Sequence, residues 1–210
     1  MTAGKRAMDL ILALVLALVL ALPFGILLLV LLITQGRPVF HVAERMRAPG
    51  QPFRLWKLRT MTVAAGDSGV SGGDKAKRIT GIGRLLRRTR LDEVPQLWNI
   101  LRGDMSFVGP RPPLRQYVER FPEVYRQVLQ SRPGITGLAT LVYHRHEERL
   151  LAACRDRAAT DAVYARRCVP AKARLDMIYQ RNRTVCFDLL LLGRTIGRML
   201  GRFGPGGSRG

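Results

Sequence analysis

The chain has 210 residues and a mass of 23.5 kDa, enough for one membrane segment and one compact domain but too few for two large domains. Its 35 lysines and arginines outnumber 15 aspartates and glutamates, and the formal net charge of +20 predicts an anionic partner: nucleic acid, anionic lipid or a phosphate-rich substrate. The three cysteines form no CxxC pair, which argues against a zinc ligand set and a paired disulfide framework.

The first element is a long apolar run. Residues 10–33 carry no charge and are nearly all Leu, Val, Ile, Ala or Phe. As a straight helix this run would rise roughly 36 Å, enough to cross a bilayer core of about 30 Å. It exceeds the roughly 7–15 apolar residues of a secretory signal peptide, and no small-residue cleavage site follows. Residues 1–36 are therefore predicted to form a membrane-inserted segment.

Pro23 lies near the middle of this run. It removes a backbone donor and crowds the preceding turn, which predicts a kink or a break in the helix. Lys5 and Arg6 precede the run, and every other lysine and arginine follows it, so the domain after it is expected in the cytoplasm. Positive flanks on both sides favour a re-entrant helix-break-helix, while a kinked spanning helix remains open because such helices tolerate proline.

The rest of the chain predicts an α+β, mainly helical domain over residues 37–203, followed by a Gly-rich, disordered tail over 204–210. Apolar and polar residues alternate in 39–42 and again in 53–58, on either side of a Pro- and Gly-containing turn. This pattern predicts a small β-hairpin.

Two helices are predicted to be amphipathic with basic edges. In the first, apolar residues recur at helical spacing over 79–86, with arginines interleaved. The second covers 185–200, where arginines again follow one edge of an apolar helix. Both can lie at a membrane interface, although a buried helix with a solvated basic edge explains the second equally well.

Asp92 and Glu93 are adjacent carboxylates that follow a run of arginines. A helix is predicted from Asp92 to about residue 101, because Pro95 suits a first turn and Gly103 suits a C-terminal stop. A helix N-terminus and nearby guanidinium groups favour ionised carboxylates, which can attack phosphorus or bind a divalent metal. The alternative is that Asp92 merely caps the helix and Glu93 is a first-turn charge.

Further cations lie in or beside turns. Residues 103–112 form a loop rich in Pro and Gly that presents Arg111, whose planar fork of donors suits phosphate. Lys57, Arg59 and Arg132 occupy similar positions. Taken singly, each could equally be a solvated surface charge.

Four segments, in this order, carry a resemblance: FRLWKLRTM (53–61), LDEVPQLWN (91–99), GDMSFVGPRP (103–112) and RPGITG (132–137). Together with the membrane segment, they resemble the bacterial sugar transferase family, the small monotopic phosphoglycosyl transferases. The combination covers roughly residues 5–140 and is far more specific than any one segment.

The resemblance implies a ping-pong phosphoryl transfer. Asp92 would be the nucleophile that attacks the sugar-linked phosphate of a UDP-sugar, releasing UMP and leaving a phosphosugar on the aspartate. Polyprenyl (undecaprenyl) phosphate would then take the phosphosugar, giving a polyprenyl-diphosphate-sugar in the first membrane step of glycan assembly. Glu93 would assist, and Mg²⁺ held partly by Asp92 would neutralise the diphosphate.

The resemblance also assigns roles to the cations. Lys57, Arg59, Arg87 and Arg111 become candidate phosphate binders, and Arg132 and Thr136 are expected in a loop facing the nucleotide. Other expected partners are membrane lipids, with no nucleic acid, and a homodimer is left open.

The family places its catalytic domain on the cytoplasmic face of the inner membrane, below a re-entrant helix that is broken at a Ser-Pro pair. Here that pair reads Leu22-Pro23, so the serine hydroxyl that could satisfy a freed carbonyl is absent.

Two other functions compete with this one. A membrane-tethered nucleic-acid-binding protein would explain the charge, but it gives Asp92 and Glu93 no role, and aromatic residues are not interleaved with the basic ones as stacking would require. The other rival is a scaffold for envelope-polysaccharide enzymes with an inactive site.

Overall fold

The computed structural model describes residues 1–63 and 78–201. This part of the chain is mainly helical with two small sheets, which confirms the predicted α+β, mainly helical class. Its elements are α1 (Ala3–Gln35), β1 (Phe40–Ala48), β2 (Gln51–Leu58), α2 (Gly81–Thr89), α3 (Gln96–Arg102), β3 (Ser106–Val108), α4 (Arg115–Arg120), α5 (Pro122–Val128), β4 (Gly134–Thr136), α6 (Leu138–Ala152), α7 (Arg157–Val163), α8 (Val169–Asn182) and α9 (Val185–Gly201). A 3-10 turn (Leu91–Glu93) precedes α3, and a π-helical turn (Tyr164–Cys168) joins α7 to α8. The tail predicted over 204–210 lies outside the described residues.

Helix α1 is a single element of 33 residues that contains Pro23. The predicted break in helical structure at Pro23 is therefore wrong. A proline removes only one backbone donor, and the neighbouring turns of a long apolar helix can keep their own hydrogen bonds. The helix is long and apolar enough to cross a membrane. Whether it kinks, and whether it spans or re-enters, stays a prediction.

The N-terminal end of α1 is fixed to the domain by buried polar groups. Lys5 Nζ forms an ion pair with Asp188 Oδ2 of α9 at 2.5 Å and donates to the carbonyl oxygen of Val108 at 3.1 Å. One turn further along, Asp9 is fully buried and its Oδ1 accepts from Ser106 Oγ at 3.0 Å. A buried ion pair needs such additional hydrogen bonds to offset the loss of hydration. The start of the apolar helix is thereby tied to strand β3.

The C-terminal end of α1 contacts the same domain. Arg59 Nη2 donates to the carbonyl oxygens of Gln35 and Gly36 at 2.6 and 3.0 Å. Leu31 is buried in a cluster with Leu58 of β2 and a leucine of α2. These contacts satisfy carbonyl groups that a helix C-terminus leaves without partners. Both ends of α1 are therefore held by one folded unit.

The predicted hairpin is confirmed, with a longer first strand than the pattern indicated. Strands β1 and β2 pair antiparallel, with His41 opposite Lys57. The side chain of Asn99 in α3 ties this hairpin to the helix: its Nδ2 donates to the Arg54 carbonyl at 2.7 Å, and its Oδ1 accepts from the Trp56 amide at 3.2 Å. This clamp fixes the strand that carries Lys57.

Strands β3 and β4 form a parallel pair that the sequence pattern did not predict. Three glycines, Gly109, Gly134 and Gly137, lie where the two segments cross. A Cβ on any of them would approach backbone atoms of the opposing segment closer than 3.0 Å. Only glycine permits so close a backbone approach. The crossing holds the loop that carries Arg111 against β4.

The two predicted amphipathic helices are present as α2 and α9. Helix α2 exposes Leu85, and α9 exposes Leu189, Leu190 and Ile196. Their placement at a membrane interface stays a prediction.

Candidate active site

Asp92 and Glu93 lie in the 3-10 turn that follows α2. Arg90, immediately before the turn, adopts a left-handed conformation with φ 58°. The prediction of a helix beginning at Asp92 is wrong, because the α-helical hydrogen bonding of α3 begins only at Gln96 and Pro95 occupies its N-cap position. Asp92 is therefore not the cap of α3. Both acidic residues are buried, each 8% exposed, which is unusual for carboxylates without a role.

Glu93 is held by three cations. Its Oε1 pairs with Lys57 Nζ at 3.1 Å and with Arg111 Nη1 at 3.7 Å, and its Oε2 accepts from Arg90 Nη2 at 2.6 Å. Burial acts to raise the pKa of Glu93, but the fields of Lys57, Arg90 and Arg111 and the Arg90 hydrogen bond lower it well below the ordinary value. Glu93 is therefore ionised at neutral pH, and both of its oxygens are engaged.

Asp92 differs from its neighbour. Within the described residues, no donor forms a hydrogen bond or ion pair with its carboxylate. Burial and the adjacent Glu93 charge raise the pKa of Asp92, against the opposing influence of Lys57, Arg87 and Arg111. The cations do act to lower the pKa of Asp92, but the expectation that they determine the net direction is wrong, because burial and the Glu93 charge outweigh them. Its oxygens remain available to a substrate.

The cations around the pair come from separate parts of the chain. Burial lowers the pKa of Lys57 on β2, although Glu93 and Asp92 favour its charged form. The side chain of Arg111 remains 45% exposed, so it can also reach a ligand. Arg90 additionally donates to the Ile135 carbonyl at 3.2 Å, which links the turn to β4. Sequence reasoning did not single out Arg90, although its i,i+3 spacing to Glu93 was a usable signal.

Arg87 on α2 lies near Asp92. Its Nε donates to Thr60 Oγ1 at 2.9 Å. Burial lowers the pKa of Arg87, and the Asp92 charge acts in the opposite direction. The structure thus brings Lys57, Arg87 and Arg111, three of the phosphate binders that the resemblance implied, around the two carboxylates. Their function as phosphate binders stays a prediction.

Three other predicted site residues are not gathered at the carboxylates. The Arg59 guanidinium is occupied at the C-terminal end of α1, as described above. Thr136 is buried, and its hydroxyl shares a 2.9 Å hydrogen bond with Thr195 of α9. Arg132 points toward Gly103 at the end of α3. Phosphate or nucleotide binding by these three residues stays a prediction.

The described residues contain no group of three or more His, Cys, Asp or Glu side chains that could hold a metal ion. Glu93 has both oxygens engaged by cations, which leaves Asp92 as the carboxylate available to a metal. Mg²⁺ is commonly bound through one or two carboxylates together with substrate phosphates. A Mg²⁺ ion held jointly by Asp92 and a bound diphosphate therefore stays a prediction.

Comparisons with known proteins concern the chain as a whole. A family model described as bacterial sugar transferase matches residues 1–202. The chain is 33% identical over 207 residues to UDP-N-acetylgalactosamine-undecaprenyl-phosphate N-acetylgalactosaminephosphotransferase of Aeromonas hydrophila, covering 95% of this chain and 44% of that protein. It is 35% identical over 170 residues to UDP-glucose:undecaprenyl-phosphate glucose-1-phosphate transferase of Escherichia coli, covering 77% and 36% respectively.

A third relative, exopolysaccharide production protein ExoY of Sinorhizobium fredii, is 31% identical over 209 residues, covering 91% of this chain and 83% of that protein. The chain thus spans less than half of the first two relatives and most of the third. Since the family model covers nearly all of the sequence, the chain belongs to the bacterial sugar transferase family.

Proposed function

We propose that this protein transfers a sugar 1-phosphate from a UDP-sugar to undecaprenyl phosphate, giving UMP and an undecaprenyl-diphosphate-sugar. Family membership supports this reaction class. Two of the relatives bear names that specify a UDP-sugar donor and undecaprenyl phosphate as the acceptor. The observation that carries the proposal is the unequal environment of Asp92 and Glu93.

Asp92 is the proposed nucleophile. One of its carboxylate oxygens attacks the phosphorus that bears the sugar; the bond from that phosphorus to the bridging oxygen breaks, and UMP leaves. The product of this half-reaction is an aspartyl-phosphosugar. A phosphate oxygen of undecaprenyl phosphate then attacks the same phosphorus and releases the Asp92 carboxylate. The Asp92 oxygens are suited to this role because no donor in residues 1–63 or 78–201 occupies them.

Glu93 is proposed to position cations. Its carboxylate gathers Lys57, Arg90 and Arg111 beside Asp92. Of these, Arg111 is exposed enough to reach the diphosphate, and Arg87 borders the same space. Preorganised cations of this kind stabilise the charge that develops during phosphoryl transfer. Mg²⁺ bound at Asp92 would supply further neutralisation of the diphosphate.

A re-entrant membrane topology is part of the proposal. Arg6, Lys5 and Asp9 attach the start of α1 to the domain, and Arg59 attaches its end. One folded domain cannot lie on both sides of a bilayer, so this arrangement supports having both ends of α1 on the same, cytoplasmic, face. Labelling of a cysteine introduced at Thr2 by a reagent confined to the periplasm would contradict it.

The decisive experiment is intact-protein mass spectrometry of the purified full chain after incubation with a panel of UDP-sugars and Mg²⁺ but no acceptor. The expected result is one phosphosugar adduct per chain with the correct donor, together with stoichiometric UMP. Asp92→Asn should form neither. Asp161→Asn is the matched control, since Asp161 also lies among cations, accepting from Arg120 at 2.9 Å, but on α7, and it should retain both.

The competing functions make different predictions in this experiment. A membrane-tethered nucleic-acid-binding protein and an inactive scaffold both predict no adduct and no UMP with any donor. If the adduct forms equally on the Asp92→Asn variant, the nucleophile has been assigned wrongly. When undecaprenyl phosphate is added to the isolated adduct, the phosphosugar should pass to it and leave the unmodified chain, as a ping-pong sequence requires.

A further inference from the structure

A second cluster of arginines lies at the N-terminal end of α1. The guanidinium groups of Arg6 and Arg132 converge on Gly103, the residue that ends α3: Arg132 Nη1 lies 3.2 Å and Arg6 Nη2 3.6 Å from the point where a Cβ on Gly103 would stand. Gly103 has φ 88°, a left-handed conformation that favours glycine. Two like charges are thus brought together around one backbone turn.

The two arginines are satisfied unequally. Arg6 donates to the carbonyl oxygens of Ile100 and Leu101 at 2.7 and 2.9 Å, so it caps the C-terminus of α3. Arg132 Nη1 is buried, and no acceptor in the described part of the chain forms a hydrogen bond with it. A buried donor without an acceptor is costly. Arg132 therefore keeps an unpaired N–H donor next to the second cation, Arg6.

Nearby carboxylates do not neutralise Arg132. Asp9 and Asp104 are close enough to favour its charged form, whereas burial, Arg6 and Arg47 lower the pKa of Arg132. However, Asp9 Oδ1 is taken by Ser106 and Phe107. Asp104 Oδ2 lies 3.8 Å from Arg102 Nε. Within residues 1–63 and 78–201, neither aspartate forms an ion pair with Arg132, and the cluster keeps an excess of positive charge.

The position of the cluster indicates the kind of anion. Arg6 lies five residues before Ile11, whose side chain is 62% exposed and belongs to the apolar face of α1. Five residues of helix rise about 7.5 Å, and the headgroup layer of each leaflet is roughly 5–8 Å thick. If the exposed face of α1 lies in hydrocarbon, as the proposed function requires, Arg6 and Arg132 lie at the level of lipid phosphates.

We infer that Arg132, with Arg6 beside it, binds the phosphate group of a membrane lipid at the point where α1 enters the bilayer. A guanidinium group presents two parallel donors to a phosphate, and a small shift of the half-buried Arg132 side chain away from Gly103 would bring its unpaired Nη1 to that phosphate. This role replaces the nucleotide contact that the sequence resemblance implied for Arg132. The lipid is either the polyprenyl phosphate acceptor, held before it reaches Asp92, or an anionic phospholipid.

The test measures binding without turnover. The full chain carrying Asp92→Asn is purified in a neutral detergent, and its apparent Tm is followed during separate titrations with polyprenyl phosphate and with phosphatidylglycerol. In this background, we expect Arg132→Gln to raise the midpoint concentration of at least one lipid by about 10- to 100-fold, the effect of losing a charge-assisted hydrogen bond. The midpoint concentration for Arg132→Lys should lie between that of the Asp92→Asn parent and that of Arg132→Gln.

Arg126→Gln is the matched control. It removes an exposed arginine of α5 that pairs with Glu123 at 2.8 Å, and it changes the net charge by the same amount. Its midpoints should equal those of the parent. Equal midpoints for Arg132→Gln and Arg126→Gln with both lipids would overturn the inference, whatever the outcome at Asp92.

Kinetics with Asp92 intact then identify the lipid. If polyprenyl phosphate is bound here, Arg132→Gln raises its KM several-fold more than it changes donor-only UMP release. If the ligand is phosphatidylglycerol, only the phosphatidylglycerol midpoint moves. A rise confined to the KM for the UDP-sugar would restore the nucleotide-facing role and refute the lipid site. The lipid titration uses the Asp92→Asn chain, which is not expected to form the adduct. Its result therefore decides the lipid site even if the proposed reaction is not observed.

Discussion

The packing of α2 against Thr60 gives a prediction that one methyl group can test. Gly83, in the first turn of α2, lies so close to the backbone carbonyl of Thr60 that a Cβ would approach the carbonyl oxygen and carbon to within less than 3.0 Å. Gly81, two residues earlier in the same helix, has nothing within 4 Å of its Cβ position. Gly83→Ala and Gly81→Ala therefore make the same chemical change in two different environments.

For Gly83→Ala, α2 must withdraw from Thr60 by roughly 1 Å, since neither backbone can deform cheaply. Overpacking of this kind costs about 1–3 kcal/mol, and we expect the upper end because the obstacle is main chain. Replacing glycine in a helix returns about 0.5–1 kcal/mol, which leaves a net loss of about 2 kcal/mol. At about 2–4 °C per kcal/mol for a chain of this size, the apparent Tm should fall by about 4–8 °C.

The measurement is thermal unfolding of the purified full chain in detergent, with donor-only UMP release measured in parallel. Gly81→Ala should raise the apparent Tm slightly, because it gains helix propensity without a clash. Gly83→Ala should also slow UMP release, since Thr60 Oγ1 accepts from Arg87 beside Asp92. If Gly83→Ala unfolds at or above the temperature of Gly81→Ala, the close approach of α2 to Thr60 is wrong.

Three further predictions concern buried charges. Glu93→Gln should destabilise the protein by about 3–5 kcal/mol at pH 7, because it leaves buried cations unpaired. In the folded parent the pKa of Glu93 is depressed, so the difference in stability between parent and variant should shrink as pH falls below about 4.5. Asp176 should have the opposite pH dependence, because burial raises its pKa from 3.8 to about 7. The folded protein therefore loses stability as pH rises between these values. Asp176→Asn should therefore match the parent below pH 3.8 and be more stable above pH 7, by up to about 4 kcal/mol, in denaturation measured across pH. Lys5→Met should cost about 3–5 kcal/mol by stranding buried Asp188, detected as a lower apparent Tm than that of the conservative Lys5→Arg.

Elements that depend on local pattern were predictable from the sequence. The uninterrupted apolar run predicted α1, apolar residues at helical spacing predicted α2 and α9, and alternating apolar and polar residues predicted the β1–β2 hairpin. The parallel pair β3–β4 was not predictable, because its strands are three residues long and the glycines that permit it, such as Gly109 and Gly134, also fit an ordinary loop. Its stability comes from contacts between residues 28 positions apart in the sequence, which no local pattern encodes.

The site shows the same division between local and long-range information. Adjacent carboxylates and the surrounding cations could be found from the sequence, but the assignment of partners could not. Arg59 lies two residues from Lys57, yet its side chain serves the end of α1. Arg132 lies three residues from Ile135, whose carbonyl contacts Arg90, yet it faces Arg6. On a strand or an extended loop, neighbours in sequence can point to different surfaces, so a basic motif does not define a single anion site.

Asp92 and Glu93 are adjacent in sequence, but the tertiary structure gives their carboxylates different hydrogen-bond and ion-pair partners. In sequence, the two carboxylates share the same arginines and the same turn. In the fold, Lys57, which lies 36 residues earlier in the sequence, forms an ion pair with Glu93. Arg90 and Arg111 contact the same carboxylate. Burial and the fixed charge of Glu93 together raise the pKa of Asp92, and none of the described residues donates a hydrogen bond to the Asp92 oxygens. A carboxylate already engaged by three cations would have to break those contacts before attacking phosphorus, whereas Asp92 would not. The arrangement therefore supports the proposal that Glu93 positions the cations and that Asp92 forms the bond to phosphorus, which are the roles that the family resemblance implied.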